Sequence, residues 1–406
     1  MAVLIFSLLF PATAHATDDP SVQLQFGEDG TFTIMLLSDT QDTQYPPVYL
    51  LRSIEAVLNN YEVDFIVLLG DQLDGRNPVL RIGNSEKNVE RALNYILSPL
   101  LYAGQPFVFI YGSNDYEAPL SIEKQTGIYR SYSNCVTPII DQSGAYYLSV
   151  YSHETNEMKL NLYFFESGPK VSSGYGAVSA EQVAWYRNVS TTLFHQNDKQ
   201  TIPAIAFQHV PVAEIYELFS EVPINSPASL KRNGKHYLPD ESRIFSGEIG
   251  EAPCPSDENY GLFDAFIEQG DVFLVFCGHD HLNSFIGSVR GIDLGSAPGS
   301  SYTSYGNAEV RGVRLLRFYE DDVTSYDTIH VRYSDFVQTD GLSMVRYYLS
   351  TTTLLSNAIK TLLFFLLLLT AIALIIRMLV FAKKYPISDL KKEDGPDSSF
   401  ETESLP

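Results

Sequence analysis

Apolar residues recur along the chain in two alternating rhythms. Residues 31–37 form a short β-type run ending in Ser38-Asp39, and residues 49–60 carry apolar positions at helical spacing. Residues 63–69 are apolar apart from Asp64 and end in Gly70-Asp71. Residues 89–101 return to helical spacing, and 107–111 is another apolar run, ending in Gly112-Ser113-Asn114-Asp115. This strand–helix–strand–helix–strand order predicts parallel or mixed α/β layering. The second half is richer in strand patterns. Residues 160–165 and 202–207 read as strands, with a helix over 179–193 between them, and the latter strand leads to Gln208-His209. Residues 272–276 lead into Cys277-Gly278-His279-Asp280-His281, and shorter β-type runs follow at 284–289, 291–294 and 312–319. Residues 221–258, rich in Pro, Ser, Gly and charge, are expected to be a long surface loop near the site.

Two segments stand apart from this rhythm. Residues 1–10 are apolar and are followed by Ala14-His15-Ala16, the pattern of a signal peptide over 1–16 cut after Ala16. Residues 361–382 are apolar almost throughout, with Arg377 as the single charge. That length suits a bilayer core of about 30 Å, with Arg377 near enough to one end to reach the headgroups. Lys383 and Lys384 follow directly, which puts the C-terminus on the cytoplasmic side. The expected organisation is single-pass type I: a lumenal or extracellular domain over 17–348, a linker over 349–360, the span over 361–382, and a polar, disordered tail over 383–406. Asn188-Val189-Ser190 is a sequon on the expected outside, which makes Asn188 a candidate glycosylation site.

Composition narrows the partners. With 45% hydrophobic and 13% aromatic residues in 406, disorder over most of the chain is excluded. A formal net charge of -22 repels nucleic-acid phosphate and argues against DNA or RNA as a partner. Phosphate esters remain open, because bound cations would reverse the field locally. Three cysteines are too few for a disulfide scaffold. Cys135–Cys254 is the pair expected if one bridge forms, and Cys277, ending an apolar run, is expected to be a buried free thiol.

Asp, Asn or His recurs where the β-type runs end: Asp39, Asp71, Asn114 with Asp115, His209, and His279 with His281. One such residue is ordinarily a helix cap or a turn former. Several together point to a shared metal site, since open α/β sheets bind ligands beyond the carboxyl ends of their strands. The ordered set resembles the calcineurin-like metallophosphoesterase superfamily, whose motifs run D-x-H, G-D, G-N-H-[D/E], a lone His, and G-H-x-H. The corresponding stretches are Asp39-Thr40-Gln41, Gly70-Asp71, Gly112-Ser113-Asn114-Asp115, Gln208-His209, and Gly278-His279-Asp280-His281. The compact purple-acid-phosphatase-like branch looks most similar, through His209-Val210-Pro211, the His279-Asp280-His281-Leu282-Asn283 stretch and the Gly-, Ser- and Tyr-rich residues 295–306.

The resemblance implies a four-layer αββα sandwich and two divalent or trivalent metal ions, Fe, Mn or Zn. Asp39 and His281 would bind the first ion, His209 and His279 the second, and Asp71 would bridge them. Such a pair would clamp a phosphate ester and activate a bridging water. Three positions depart from the pattern. Gln41 stands where the family has a metal-binding His, Ser113 where it has a metal-binding Asn, and Asn114 where it has the catalytic His. A one-residue slip would instead make Asn114 the ligand and put Asp115 in the catalytic position. The resemblance therefore implies a metal-dependent phosphoric-ester hydrolase with weakened activity. The alternative is a catalytically impaired phosphoesterase fold serving as a membrane-bound binding module.

Overall fold

The computed structural model describes residues 23–140, 143–336 and 354–384. The expected signal peptide and all of the expected tail beyond Lys384 lie outside those residues. Two units separate within the chain, one up to Thr352 and one from Thr353.

In the first unit, β1 (Leu24–Gln25), β2 (Thr31–Leu37), α1 (Val48–Asn60), β3 (Phe65–Leu69), α2 (Ser85–Ala103) and β4 (Phe107–Ile110) follow in order. Strands β2, β3 and β4 pair in parallel. They bury both faces, which is why β3 and β4 are unbroken apolar runs and β2 is apolar from Ile34 onward. Met35, Leu37, Ile66, Leu68, Phe107 and Phe109 face α1 and α2, meeting Leu50, Ile54, Val57, Leu93 and Leu97. The residues between them, Ile34, Leu36, Phe65, Val67, Leu69 and Val108, face a second sheet. The period of two along each strand thus feeds two separate cores.

The helices α3 (Ser113–Tyr116) and α4 (Ile122–Arg130) lead to β5 (Ala145–Tyr151), β6 (Met158–Phe165), α5 (Ala180–Gln196) and β7 (Ala204–Gln208). Then come β8 (Phe219–Val222), β9 (Leu230–Arg232), β10 (Lys235–Pro239), β11 (Ile244–Ile249), α6 (Leu262–Gln269), β12 (Val272–Cys277), β13 (Asn283–Val289), β14 (Ile292–Ser296), β15 (Gly312–Tyr319) and β16 (Asp322–Arg332). The second sheet has eight strands in the order β1-β5-β6-β7-β12-β14-β13-β11, and the first has five, β16-β15-β2-β3-β4. Leu162, Phe164, Ile205, Phe207, Leu274 and Phe276 of the second sheet join the inter-sheet core. Their neighbours Tyr163, Phe165, Ala206 and Val275 face α5 and α6, against Val183, Tyr186, Phe263 and Phe266. The layers are helix, sheet, sheet, helix, as the resemblance implies.

Three expectations are corrected. Residues 221–258 are not simply a loop: β8, β9 and β10 form a small three-stranded sheet, and β11 pairs with β13 at the edge of the large one. Polar composition hid these strands because they are exposed on one side. Strands β5 and β16 also escaped the sequence pattern, the latter because only Val323 and Val331 on it are buried hydrophobics. All three cysteines are free. Cys135 packs against the core under α1 and α2, whereas the Cys254 backbone lies on Asp280, so no bridge joins them. Cys277 is the expected buried thiol, its Sγ donating to the Gly295 carbonyl at 3.3 Å.

In the second unit, a single helix spans Leu354–Lys384, so its first turns occupy part of the stretch expected to be a linker. Its Thr361–Phe381 segment has mean hydropathy 2.8 and is long and apolar enough to cross a membrane.

Candidate metal centre

Strands β2, β3 and β4 are parallel to one another, as are β6, β7, β12 and β14. The residues after their carboxyl ends converge. Backbone bonds fasten the edges: Asp39 N donates to Gly70 O at 3.1 Å, Gln41 N to Asp71 O at 3.0 Å, and Gly278 N to His209 O at 3.1 Å. Two bonds cross between the sheets. His279 N donates to Asp39 Oδ2 at 2.9 Å, and His209 Nδ1 lies 2.7 Å from the Leu69 carbonyl.

Asp39, Gln41, Asp71 and His279 all sit at positive φ, between 38° and 72°. Non-glycine residues adopt this conformation at a cost, which here turns the side chains toward one point. Gly112 lets the chain pass close to Asp71 and His209. A Cβ there would stand 2.2 Å from Asp71 Oδ1 and 2.6 Å from His209 Nε2.

His209 Nε2 lies 3.4 Å from Asp71 Oδ2 and 4.0 Å from Asp39 Oδ1, and His281 Nε2 lies 3.3 Å from Asp39 Oδ1. All four of these side chains are buried. Burial works against charge on each, but their mutual attraction wins: Asp39 and Asp71 are held below the usual carboxylate range and His209 is raised to about 10. His279 goes the other way, down to about 3, through burial and the neighbouring His209.

The donor set fits a metal on one side. The ligand atoms of Asp71, His209 and His279 lie within 4.8 Å of one another. Asp39 Oδ1 and His209 Nε2 are buried polar atoms with no hydrogen-bond partner, which an ion would satisfy. His209 and His281 have Nδ1 against the carbonyls of Leu69 and Tyr305, which aims Nε2 inward in the manner of metal-binding histidines.

On the other side two amides intrude. Gln41 Nε2 stands 3.1 Å from Asp71 Oδ2 and 3.2 Å from His281 Nε2. Since a carboxylate only accepts, the nitrogen of this amide must face Asp71. Its NH2 group thus lies between the shared carboxylate and His281, where the resemblance puts the first ion. Asn114 adds two more donors to Asp71, its backbone N to Oδ1 at 2.7 Å and its Nδ2 to Oδ2 at 2.5 Å.

Asp115 is engaged with the backbone. Its Oδ2 accepts from the backbone N–H groups of Asp71 and Gly112 at 2.7 and 3.0 Å, and its Oδ1 from Leu73 at 3.0 Å. It shapes the turns that carry the ligands, and both oxygens are spent on that. Ser113 is buried with its hydroxyl unpartnered. Asn188 lies exposed within α5, away from this centre. Two aromatic neighbours were not anticipated. Tyr305 stacks on His281 at 4.0 Å between ring centroids and 10° between planes, and Tyr175 packs steeply on His279 at 4.1 Å. Tyr305 falls in the Gly-, Ser- and Tyr-rich 295–306 stretch, the only signal that could have found it.

The family profile of the calcineurin-like phosphoesterases matches residues 32–283, and the chain belongs to that family. Curated relatives fall in the purple acid phosphatase-like branch. One from Arabidopsis thaliana, named probable inactive purple acid phosphatase 28, is 25% identical, the match covering 71% of this chain and 75% of that one. Another, probable inactive purple acid phosphatase 14, is 26% identical over 78% of this chain and 82% of its own. A solved structure of a dimetal phosphatase from Danio rerio is 14% identical with TM-score 0.45, over 74% of this chain and 98% of that one.

Proposed function

We propose that this chain is a metal-dependent phosphoric-ester hydrolase of reduced turnover, anchored by one C-terminal span with its domain on the lumenal or extracellular side. The observation that carries the reading is the buried set Asp71, His209 and His279, with Asp39 Oδ1 and His209 Nε2 left without hydrogen-bond partners. These residues would hold one ion directly. Asp39 and His281 would hold a second only if Gln41 turned to offer its oxygen in place of its nitrogen. Iron, manganese or zinc suits such ligands and would supply a polarised phosphoryl oxygen and an acidified water. Asn114, on the edge of the site, can donate a hydrogen bond to an ester oxygen but cannot deliver a proton. Esters with good leaving groups need no such proton, so aryl phosphates are the expected substrates of choice. The test is metal analysis of the full chain in detergent, followed by comparison of aryl and alkyl phosphates. Absence of bound metal, or equal rates on both esters, would defeat the reading.

A second reading has its own observation. Both oxygens of Asp71 already accept amide hydrogens, from Asn114 and from Gln41. A centre satisfied in this way can stand without metal and serve as a binding module. The word inactive in the relatives' names supports it. Restoring Gln41→His, Ser113→Asn and Asn114→His together separates the readings by whether activity rises from a measurable level or from none.

The topology proposal is a signal peptide over 1–16, a domain over 17–348 and a cytoplasmic tail after the 361–382 span. Protease added to sealed vesicles should then remove only the tail. Digestion of the domain would reverse the orientation. Asn188 is exposed, so a glycan there would show as a mass shift that Asn188→Gln abolishes.

A further inference from the structure

We propose that Cys254, His279 and Asp280 form a separate, sulfur-containing site for a divalent ion of the zinc class, sharing only His279 with the Asp71 centre. The ligand atoms of the three lie within 4.8 Å of one another. His279 and Asp280 are 8% and 3% exposed, and Cys254 is half-buried.

The three histidines of the region are not equivalent. His209 and His281 each engage Nδ1 with a backbone carbonyl, which leaves each of them one nitrogen for an ion. Among the described residues the His279 ring is not tied to a backbone carbonyl, and Tyr175 packs against it ring to ring. An imidazole can offer either ring nitrogen. The Asp71–His209 group needs only one, and the other would serve the group formed by Cys254 and Asp280.

Cys254 is held in place by its surroundings. Its backbone N donates to Asp280 Oδ2 at 3.2 Å. Arg232 grips the flanking carbonyls of Pro253 and Pro255 at 2.7 and 2.6 Å, and Tyr216 donates to Pro253 O at 2.7 Å. The small sheet that carries Arg232 thus sets the cysteine over the His279-Asp280 turn. One thiolate, one imidazole and one carboxylate make a donor set suited to zinc or cobalt(II), with an open fourth position. An ion bound there would draw on the same imidazole as the Asp71 centre, so occupancy of one site would be felt at the other.

The test does not depend on hydrolysis. Cobalt(II) alone, titrated into the chelator-treated full chain in detergent, is expected to produce the near-ultraviolet sulfur-to-cobalt charge-transfer band. Cys254→Ser is expected to abolish the band, Asp71→Asn to leave it, and Asp280→Asn to weaken the binding that produces it by about tenfold or more. The Asp71 centre contains no sulfur, so failure of that centre cannot remove the band. The wild-type titration needs no substituted chain to fold. Absence of the band at every cobalt concentration would overturn the proposal, as would a band that survives Cys254→Ser and so arises from Cys135 or Cys277.

Discussion

The two halves of the metal centre have fared differently. The residues that follow the eight-stranded sheet, His209, His279 and His281, match the family pattern. The residues that follow the five-stranded sheet keep Asp39 and Asp71 but carry Gln41, Ser113 and Asn114 in place of the ligands and the proton relay expected there. Backbone explains part of the difference. The His209 and His279 segments are tied to each other and across to Asp39 and Leu69, so any change there disturbs the joint between the sheets. Gln41 lies in the turn after β2, its N–H on the Asp71 carbonyl, and Asn114 lies in the short helix α3, its N–H on the Asp71 carboxylate. Their amides donate to Asp71, which gives a buried carboxylate partial positive charge without an ion. The comparison teaches that amides can satisfy Asp71 while Asp39 Oδ1 is left without a hydrogen-bond partner and the frame between the sheets stays intact.

The largest effect should come from rebuilding the altered half. Gln41→His, Ser113→Asn and Asn114→His together are expected to raise turnover on alkyl phosphates by about 10²–10⁴-fold, the usual worth of a general acid, and to flatten the preference for aryl esters. The three should be made together, because groups in one cluster do not act additively. Steady-state rates on both ester types check this.

Next is damage to the shared carboxylate and to the glycine beside it. Asp71→Asn is expected to remove most bound metal. Gly112→Ala is expected to do the same and also to cost about 1–3 kcal/mol of stability, since its Cβ would overlap Asp71 and His209. Metal content and thermal unfolding report the two effects. Retention of full metal by either variant would break the assignment of the preserved half.

A smaller effect concerns pH. Burial raises Glu166 from 4.5 to about 8, against the pull of the Tyr111 N–H. A carboxyl raised in the folded state keeps its proton where the unfolded chain has lost it. Stability from this group is therefore greatest below about pH 4.5 and declines as pH rises through about 8. Glu166→Gln, neutral at every pH, should flatten that part of the melting-temperature profile. An unchanged slope would show that another group carries it. The smallest expected effect is Tyr305→Phe. It keeps the stack on His281 and loses the hydroxyl's bonds to Glu251, the His279 carbonyl and the His281 N–H, costing about 0.5–1.5 kcal/mol with little change in metal binding.

Much of this architecture was legible in one dimension. Continuous apolar runs marked β2, β3, β4, β7 and β12, because strands buried on both faces have no polar side to show. The Asp and His residues just past those runs marked the centre, because parallel strands bring their carboxyl ends to one edge. The exposed strands at β9, β10 and β16 gave no such signal. Their pairing partners are close in the chain, β9 with β10 around Asn233-Gly234 and β16 with β15, but their composition is that of a loop, which masked the hairpins.

The sequence by itself determined which chemical groups could meet: two carboxylates, three imidazoles, and amides at Gln41 and Asn114 where the family has other groups. Hydrophobic periodicity is local and is written into the order of residues. The tertiary structure alone decided how those groups are spent. It turned Asp115 into the backbone of the turns, placed the Gln41 nitrogen between Asp71 and His281, laid Tyr305 on His281, and separated Cys135 from Cys254. Each of these outcomes depends on distances between segments far apart in the chain. Such distances arise only when the two sheets close on their common core and bring the loops at their ends within a few ångströms of one another.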